Sequence, residues 1–454
     1  MPYFGGMPTK RKVVIIGNGV AGTSTARNLR KYDSDVEITL ISAESKYFFS
    51  RTALMYVYMG HMKFNNIKPY EDWFWQKNRI DLVFDYVEGV DAAGKKLRMR
   101  SSEEIYYDEL VIATGSRPRF FGWPGQNLKG VQGLVSLQDL ENLEKLSPPP
   151  LKGNKDNLRA VIVGGGLIGV EMSEMLQTRG IPVTMLVRDE VFWGSVLTKD
   201  EGKKIGAHLR EHNVDLRTKV ELKEIKGTNG RVSSVITSEG EELPCDILGI
   251  TTGVTPNIEF LKDTGLEMQR GILVDDTLQS SIESIYAVGD CAQIREPKEG
   301  RGGLEAVWYV GRMMGEVLGQ RLAGKQSVYL PGPWFNSAKF YDIEYQVYGK
   351  VNTRTSEDHI QYFWEGAKNK FITVAYHPET EVFHGINSFG IRLRHEYFNK
   401  CLKEKKGVGE VISNIHKANF DPEFYKKWPA KFKADFENDT GIKVPNSLLK
   451  KLIS

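Results

Sequence analysis

RAVIVGGGLIGVEMSEML, residues Arg159–Leu176, sets three glycines at GxGxxG spacing directly behind four apolar residues. KVVIIGNGVAGTSTARNL, Lys12–Leu29, has the same form near the N-terminus. In each stretch a short β-branched run ends at the first glycine and a helix-like stretch follows, over 21–31 and 167–179. A second apolar run then comes, VEITLIS (36–42) after the first helix and PVTMLV (182–187) after the second. Each set reads as a strand–helix–strand unit, the unit that builds parallel sheets. Within such a unit the first glycine permits the tight turn and the second lets the backbone approach a pyrophosphate. The third allows close helix–strand packing. The pyrophosphate rests on the helix N-terminus, where free N–H groups and the dipole favour negative charge.

The first loop, Gly17, Asn18, Gly19, Val20, Ala21 and Gly22, is followed by an acid, Glu44, placed to hold a ribose hydroxyl. The second loop, Gly164, Gly166, Ile168 and Gly169, differs at the ribose position. Val187 and Arg188 stand where an acid would follow the strand, with Asp189 and Glu190 next. Two such loops in one chain predict two dinucleotides, and the obvious use is hydride transfer from a nicotinamide to a flavin.

Composition bounds the class. A chain of 454 residues suffices for about three domains. The hydrophobic fraction of 41% and charged fraction of 26% are those of an ordinary globular protein. A net charge of +3 is too small to imply nucleic acid. Cys245, Cys291 and Cys401 lie far apart without CxxC spacing. They predict neither a disulfide framework nor a metal site, and they favour a reducing compartment. MPYFGGMPTKRK lacks the apolar core of a secretory signal, and no stretch is apolar enough for a membrane span. The expected location is cytoplasmic.

Further along, SPPPLKGNKDN (147–157) reads as a linker, and DILGITTG (246–253) and SIYAVGD (284–290) as strands. Beyond YLPGPW (329–334) the pattern becomes antiparallel strands with turns. From about Glu396 short helical pieces dominate, and residues 400–454 hold twelve lysines against seven acids.

Several motifs, taken in order, resemble the two-dinucleotide-binding flavoproteins of the pyridine nucleotide–disulfide oxidoreductase superfamily. YDELVIATGSRPR (107–119) is similar to its strand-plus-ATG motif, and SIYAVGDCA to the late motif that contacts the flavin's ribityl chain. GGGLIGVEMSEMLQTRG matches its second glycine fingerprint, and GITTGVTPN (249–257) the return to the flavin domain. The resemblance implies an α/β fold with two Rossmann-like domains plus a C-terminal α+β domain. The implied divisions are an FAD-binding domain over 9–145 and 256–325, an NAD(P)H-binding domain over 146–255, an interface domain over 326–395 and a basic helical tail over 396–454. It implies cofactor contacts at Val87, Ala113, Thr114, Gly115, Gly253, Gly289 and Asp290. It also puts Trp308 or Tyr309 against the flavin ring, and Glu171 beside the nicotinamide.

What stands beside the flavin sets the reaction in this superfamily. No CxxxxC occurs in the first helix. In YFFSRTALMY (47–56), Arg51 occupies the place of the cysteine in the peroxidase and coenzyme A disulfide reductase branch. The succession Glu44, Phe48 or Phe49, Arg51 and Leu54 resembles the ferredoxin, rubredoxin and nitrite reductase branch, which implies that Arg51 meets the flavin or its pyrophosphate as a fixed cation. Tyr56 replaces the lysine of the ferredoxin reductases. The expected protein is an FAD-dependent NAD(P)H oxidoreductase passing electrons to a non-thiol acceptor, foremost an acidic electron-carrier protein, with a quinone or oxygen as alternatives. A flavoprotein subunit serving assembly in a larger complex, or a homodimer, stays open.

Overall fold

The computed structural model describes residues 10–149, 157–420 and 428–445. It divides into two compact units. One gathers Met1–Arg119, Gly133–Pro149 and Gly253–Pro331, the other Phe120–Gln132, Pro150–Thr252 and Gly332–Ser454. Most of the linker-like stretch, residues 150–156, lies outside the described residues.

The first unit is built on a five-stranded parallel sheet. Its order is Ile285–Ala287, Glu109–Ile112, Lys12–Ile16, Glu37–Ser42 and Ile80–Phe84. Val13, Val14 and Ile15 are at most 1% exposed, as expected of a central strand covered on both faces. The Val20–Tyr32 helix lies against the Trp308–Leu322 helix. A Cβ on Gly315 would stand 2.3 Å from the Ala21 carbonyl oxygen, and one on Gly319 2.6 Å from that of Thr25. Glycines four apart thus let the two backbones touch. Smaller antiparallel pieces, Val87–Asp91 with Lys96–Met99 and Glu104–Tyr106, complete the unit. Ser116–Pro118 pairs with Val254–Pro256, fastening the outgoing and returning strands together.

In the second unit Val214–Thr218, Val183–Val187, Ala160–Val163, Ile247–Ile250 and Val131–Gln132 form a parallel sheet. The chain then makes an antiparallel sheet ordered Phe335–Phe340, Ile343–Gly349, Phe383–Phe389, Lys370–Tyr376 and Ile360–Ala367. The lysine-rich helices are not set apart from this sheet. Phe398, Val411, Ile415, Phe432 and Phe436 share one core with Ile372, Val374 and Ile386. Trp364 donates its indole N–H to Asp435 Oδ2 at 2.7 Å, and Tyr362 its hydroxyl to Asp439 Oδ2 at 2.8 Å. Composition showed the lysines of this segment, most of which are exposed among the described residues, and concealed an apolar stripe on the same short helices. Among the described residues no helix is long and apolar enough to cross a membrane.

Candidate functional site

The two glycine loops are built alike. Gly17 has φ +111° and Gly164 φ +114°, in the region that favours glycine. A Cβ on Gly17 would stand 2.1 Å from the Ala113 carbonyl oxygen, and one on Gly164 2.5 Å from that of Thr251. The third glycines are equally constrained: a Cβ on Gly22 would meet the Gly17 carbonyl oxygen at 2.0 Å, and one on Gly169 that of Gly164 at 2.4 Å. The middle glycines behave differently. A Cβ on Gly19 meets nothing within 4 Å, and one on Gly166 meets only Trp193 Nε1, at 3.7 Å.

Gly19 and Gly166 are also the N-caps of the helices they open, and neither supplies a side-chain cap. Ser136 and Thr198, by contrast, cap the helices after them with complete capping boxes, a device worth about 1 kcal/mol. Where the ligand belongs, the helix N–H groups are left bare and the space in front of them is open. That combination fits a pyrophosphate.

Around the first loop, segments far apart in sequence converge. A Cβ on Gly289 would stand 2.9 Å from Ala21 Cβ, and one on Gly311 3.6 Å from Gly289 Cα. Asp290 accepts a 2.7 Å hydrogen bond from Ser116 Oγ, and burial raises its carboxyl against the opposing pull of Arg51. Thr114 Oγ1 donates to the Asn257 carbonyl at 2.7 Å, and Gly115 beside it opens on free space. Asn18 is buried and donates to the Ser45 carbonyl at 2.8 Å. Trp308 begins the Trp308–Leu322 helix, which is also without a side-chain cap, and its ring stands edge-on to Tyr309. Val87 is buried in strand pairing with Met99.

Glu44 and Arg51 hold each other. Arg51 donates to Glu44 Oε1 at 2.8 Å and Oε2 at 2.6 Å, and also to the Val135 carbonyl. The Leu137 backbone N–H adds a 2.8 Å bond to Glu44 Oε1. Of roughly four acceptor positions on a carboxylate, Glu44 keeps one for a ribose, on Oε2. Arg51 keeps Nε–H and one Nη2–H for a ligand, and its side chain is 40% exposed. An unpaired, partly buried carboxylate recruits the nearest cation, so the two residues expected to act separately form one fork.

Around the second loop, Thr251 Oγ1 bonds the Val163 and Gly164 carbonyls, both at 3.0 Å, clasping the turn. Glu171 lies in the Leu167–Thr178 helix, its carboxyl pushed up to about 7 by burial and then by Glu174. The strand ends at Val187. Arg188 after it is 73% exposed, with Asp189 Oδ1 at 3.8 Å. Lys199 is held by Glu190 at 3.0 Å and Arg210 by the Leu216 carbonyl at 3.0 Å. The indole of Trp193 beside Gly166 gave no sequence signal, since nothing local ties an aromatic at 193 to a loop at 166. Gly253 has φ +101° and accepts from the Arg119 N–H at 3.0 Å.

All three cysteines are free and buried. Cys291 shares its thiol between the Ile112 and Val288 carbonyls, each at 3.4 Å, and burial pushes its pKa up. Burial and carbonyl contacts both favour the protonated thiol over the nucleophilic thiolate.

Two parallel sheets, each with an uncapped glycine-loop helix, define a protein of the class that binds two dinucleotides. Residues 11–315 match the family model described as pyridine nucleotide-disulphide oxidoreductase, and the chain belongs to that family. It is an FAD-dependent NAD(P)H oxidoreductase. The chain is 30% identical to rhodocoxin reductase of Rhodococcus erythropolis over 74% of its own length and 78% of the relative's. It is 32% identical to an NAD(P)H coenzyme A polysulfide/persulfide reductase of Pyrococcus horikoshii over 74% and 75%. A ferredoxin reductase of Rhodopseudomonas palustris superposes with a TM-score of 0.75 at 27% identity, over 84% of this chain and 91% of that one.

Proposed function

We propose that this reductase delivers electrons from NAD(P)H, through its flavin, to an electron-carrier protein, and that no protein thiol takes part. The single observation that carries the reading is the Arg51–Glu44 fork, which stands where the resemblance of YFFSRTALMY implies a cysteine in the coenzyme A disulfide reductase branch. Relatives on both sides of that division, a rhodocoxin reductase and a persulfide reductase, are about equally similar, so overall likeness does not choose between them. The residue at the fork does. When bound, the two cofactors supply hydride transfer and stepwise release of electrons.

The chain's own residues bind and orient. The bare N–H groups after Gly19 and Gly166 take the pyrophosphates, and Asp290 accepts from a polyol hydroxyl. The fork sets a cation with two free donors at the flavin side. Glu171, its carboxyl raised to about 7 by burial, stands in the nicotinamide-binding helix as a group able to donate or accept a hydrogen bond. The acceptor is a small protein with an acidic face, which the exposed Lys403, Lys405, Lys417 and Lys431 suit. Three free cysteines suit the reducing cytoplasm.

The test compares acceptors. Steady NAD(P)H oxidation is expected with a ferredoxin or rubredoxin, and none above background with coenzyme A disulfide or persulfide. The reverse order overturns the proposal. The variant Cys291→Ala is expected to leave NAD(P)H-to-dye electron transfer mostly intact. Loss of flavin reduction in a Cys291→Ala variant that still folds and holds its flavin would make Cys291 catalytic.

Coenzyme choice follows from Val187 and Arg188. Without a carboxylate at the strand end nothing repels a 2′-phosphate, and Arg188 is exposed enough to offer it a charge-assisted bond. With Lys199 and Arg210 already engaged, Arg188 acts alone, and we infer dual use with a slight preference for NADPH. In Arg188→Ala, kcat/KM is expected to fall for NADPH and hold for NADH. A native preference for NADH above about 100-fold, on the order of 2.7 kcal/mol, would exclude this inference.

A further inference from the structure

His208 and His212 lie one turn apart at the C-terminal end of the Lys199–Glu211 helix, where His212 is the C-cap. Side chains four residues apart share a helix face. Asp342 meets them from the tight turn between strands Phe335–Phe340 and Ile343–Gly349. His208 Nε2 is 2.6 Å and His212 Nε2 3.5 Å from Asp342 Oδ1. Tetrahedral donors each about 2.0–2.1 Å from a zinc ion stand about 3.3 Å apart, so small adjustments would seat one.

Further observations point to a ligand. His208 is 3% exposed, yet neither of its ring nitrogens has a hydrogen-bond partner, the close approach to Asp342 lacking hydrogen-bond alignment. Leaving such a group unpaired in the interior is costly. His212 Nδ1 lies 3.0 Å from the His208 carbonyl oxygen; a carbonyl only accepts, so Nδ1 carries the proton and the Nε2 lone pair faces Asp342. A metal-binding histidine is oriented in this way by a carbonyl behind it. The His212 ring also packs on Tyr341, 4.5 Å between centroids, whose hydroxyl is fixed by Gln177. The negative end of the helix dipole favours a cation at this end.

We propose that His208 Nε2, His212 Nε2 and Asp342 Oδ1 bind a divalent cation of the zinc class, with a fourth position open to water on the exposed side of Asp342. Two imidazoles and one carboxylate suit zinc, cobalt or nickel, whereas magnesium and calcium prefer oxygen donors throughout. The ion clamps the helix end to the sheet turn, both within the second unit, and takes no part in electron transfer.

The test uses full-length FAD-bound protein stripped with EDTA and titrated calorimetrically with zinc chloride, with bound metal counted by mass spectrometry. About one zinc per chain and a rise in melting temperature are expected, with no response to magnesium chloride. His212→Ala and Asp342→Asn alter partly exposed side chains and are expected to keep flavin and fold while losing zinc affinity at least about tenfold. Wild-type protein that binds no more zinc than the double variant would overturn the proposal. So would variants that bind it as tightly as wild type.

Discussion

Gly19→Val gives a folded protein without flavin. Gly19 has φ −67° and ψ −175°, a conformation valine adopts readily. Its Cβ meets nothing within 4 Å, so the backbone and its neighbours need not move. The side chain then occupies the open space in front of the bare helix N-terminus, where the pyrophosphate belongs. The ratio of flavin to protein absorbance is expected to fall at least about tenfold, with far-UV circular dichroism unchanged. Gly17→Ala provides the contrast. There the added Cβ would lie 2.1 Å from the Ala113 carbonyl oxygen at φ +111°, so flavin is lost together with the fold. Full flavin retention by Gly19→Val would show that the loop is only a turn.

Gly166→Val separates the two dinucleotides. Gly166 is likewise extended, at φ −108° and ψ −171°, and its Cβ would meet only Trp193 Nε1 at an ordinary 3.7 Å. The variant keeps its yellow colour because the first loop is untouched. With the nicotinamide pyrophosphate displaced, kcat/KM for NAD(P)H is expected to drop at least about 100-fold, about 2.7 kcal/mol. Dithionite, which needs no nucleotide site, still bleaches the flavin at the wild-type rate. A variant as active with NAD(P)H as wild type would remove the second loop from the binding site. Loss of flavin from this variant would show that the loops do not act separately.

Much of this was legible because strand–helix–strand units and glycine loops are local. The runs at 12–17 and 159–164 form central strands, and the glycines that open their helices sit where GxGxxG spacing put them. A tight turn, a close helix and a bare N-terminus are demands a few consecutive residues either meet or fail. The arginine at position 51 was legible for the same reason, as a residue type at one position.

The sequence by itself determined the two dinucleotide loops, the class of reaction and the residue type at position 51. Only the tertiary structure decided what those residues touch. Glu44 and Arg51, read as separate ligand groups, close on each other where folding brings the Val135 carbonyl and the Leu137 N–H beside them. The lysine-rich end gives its apolar stripe to the antiparallel sheet, since a helix of a few turns gains stability from the surface it packs on. No metal was expected from the spacing of the cysteines. His208 and His212 share a helix face by local geometry, but Asp342 is far along the chain, and only a sheet turn docked on the helix end brings a third donor within reach.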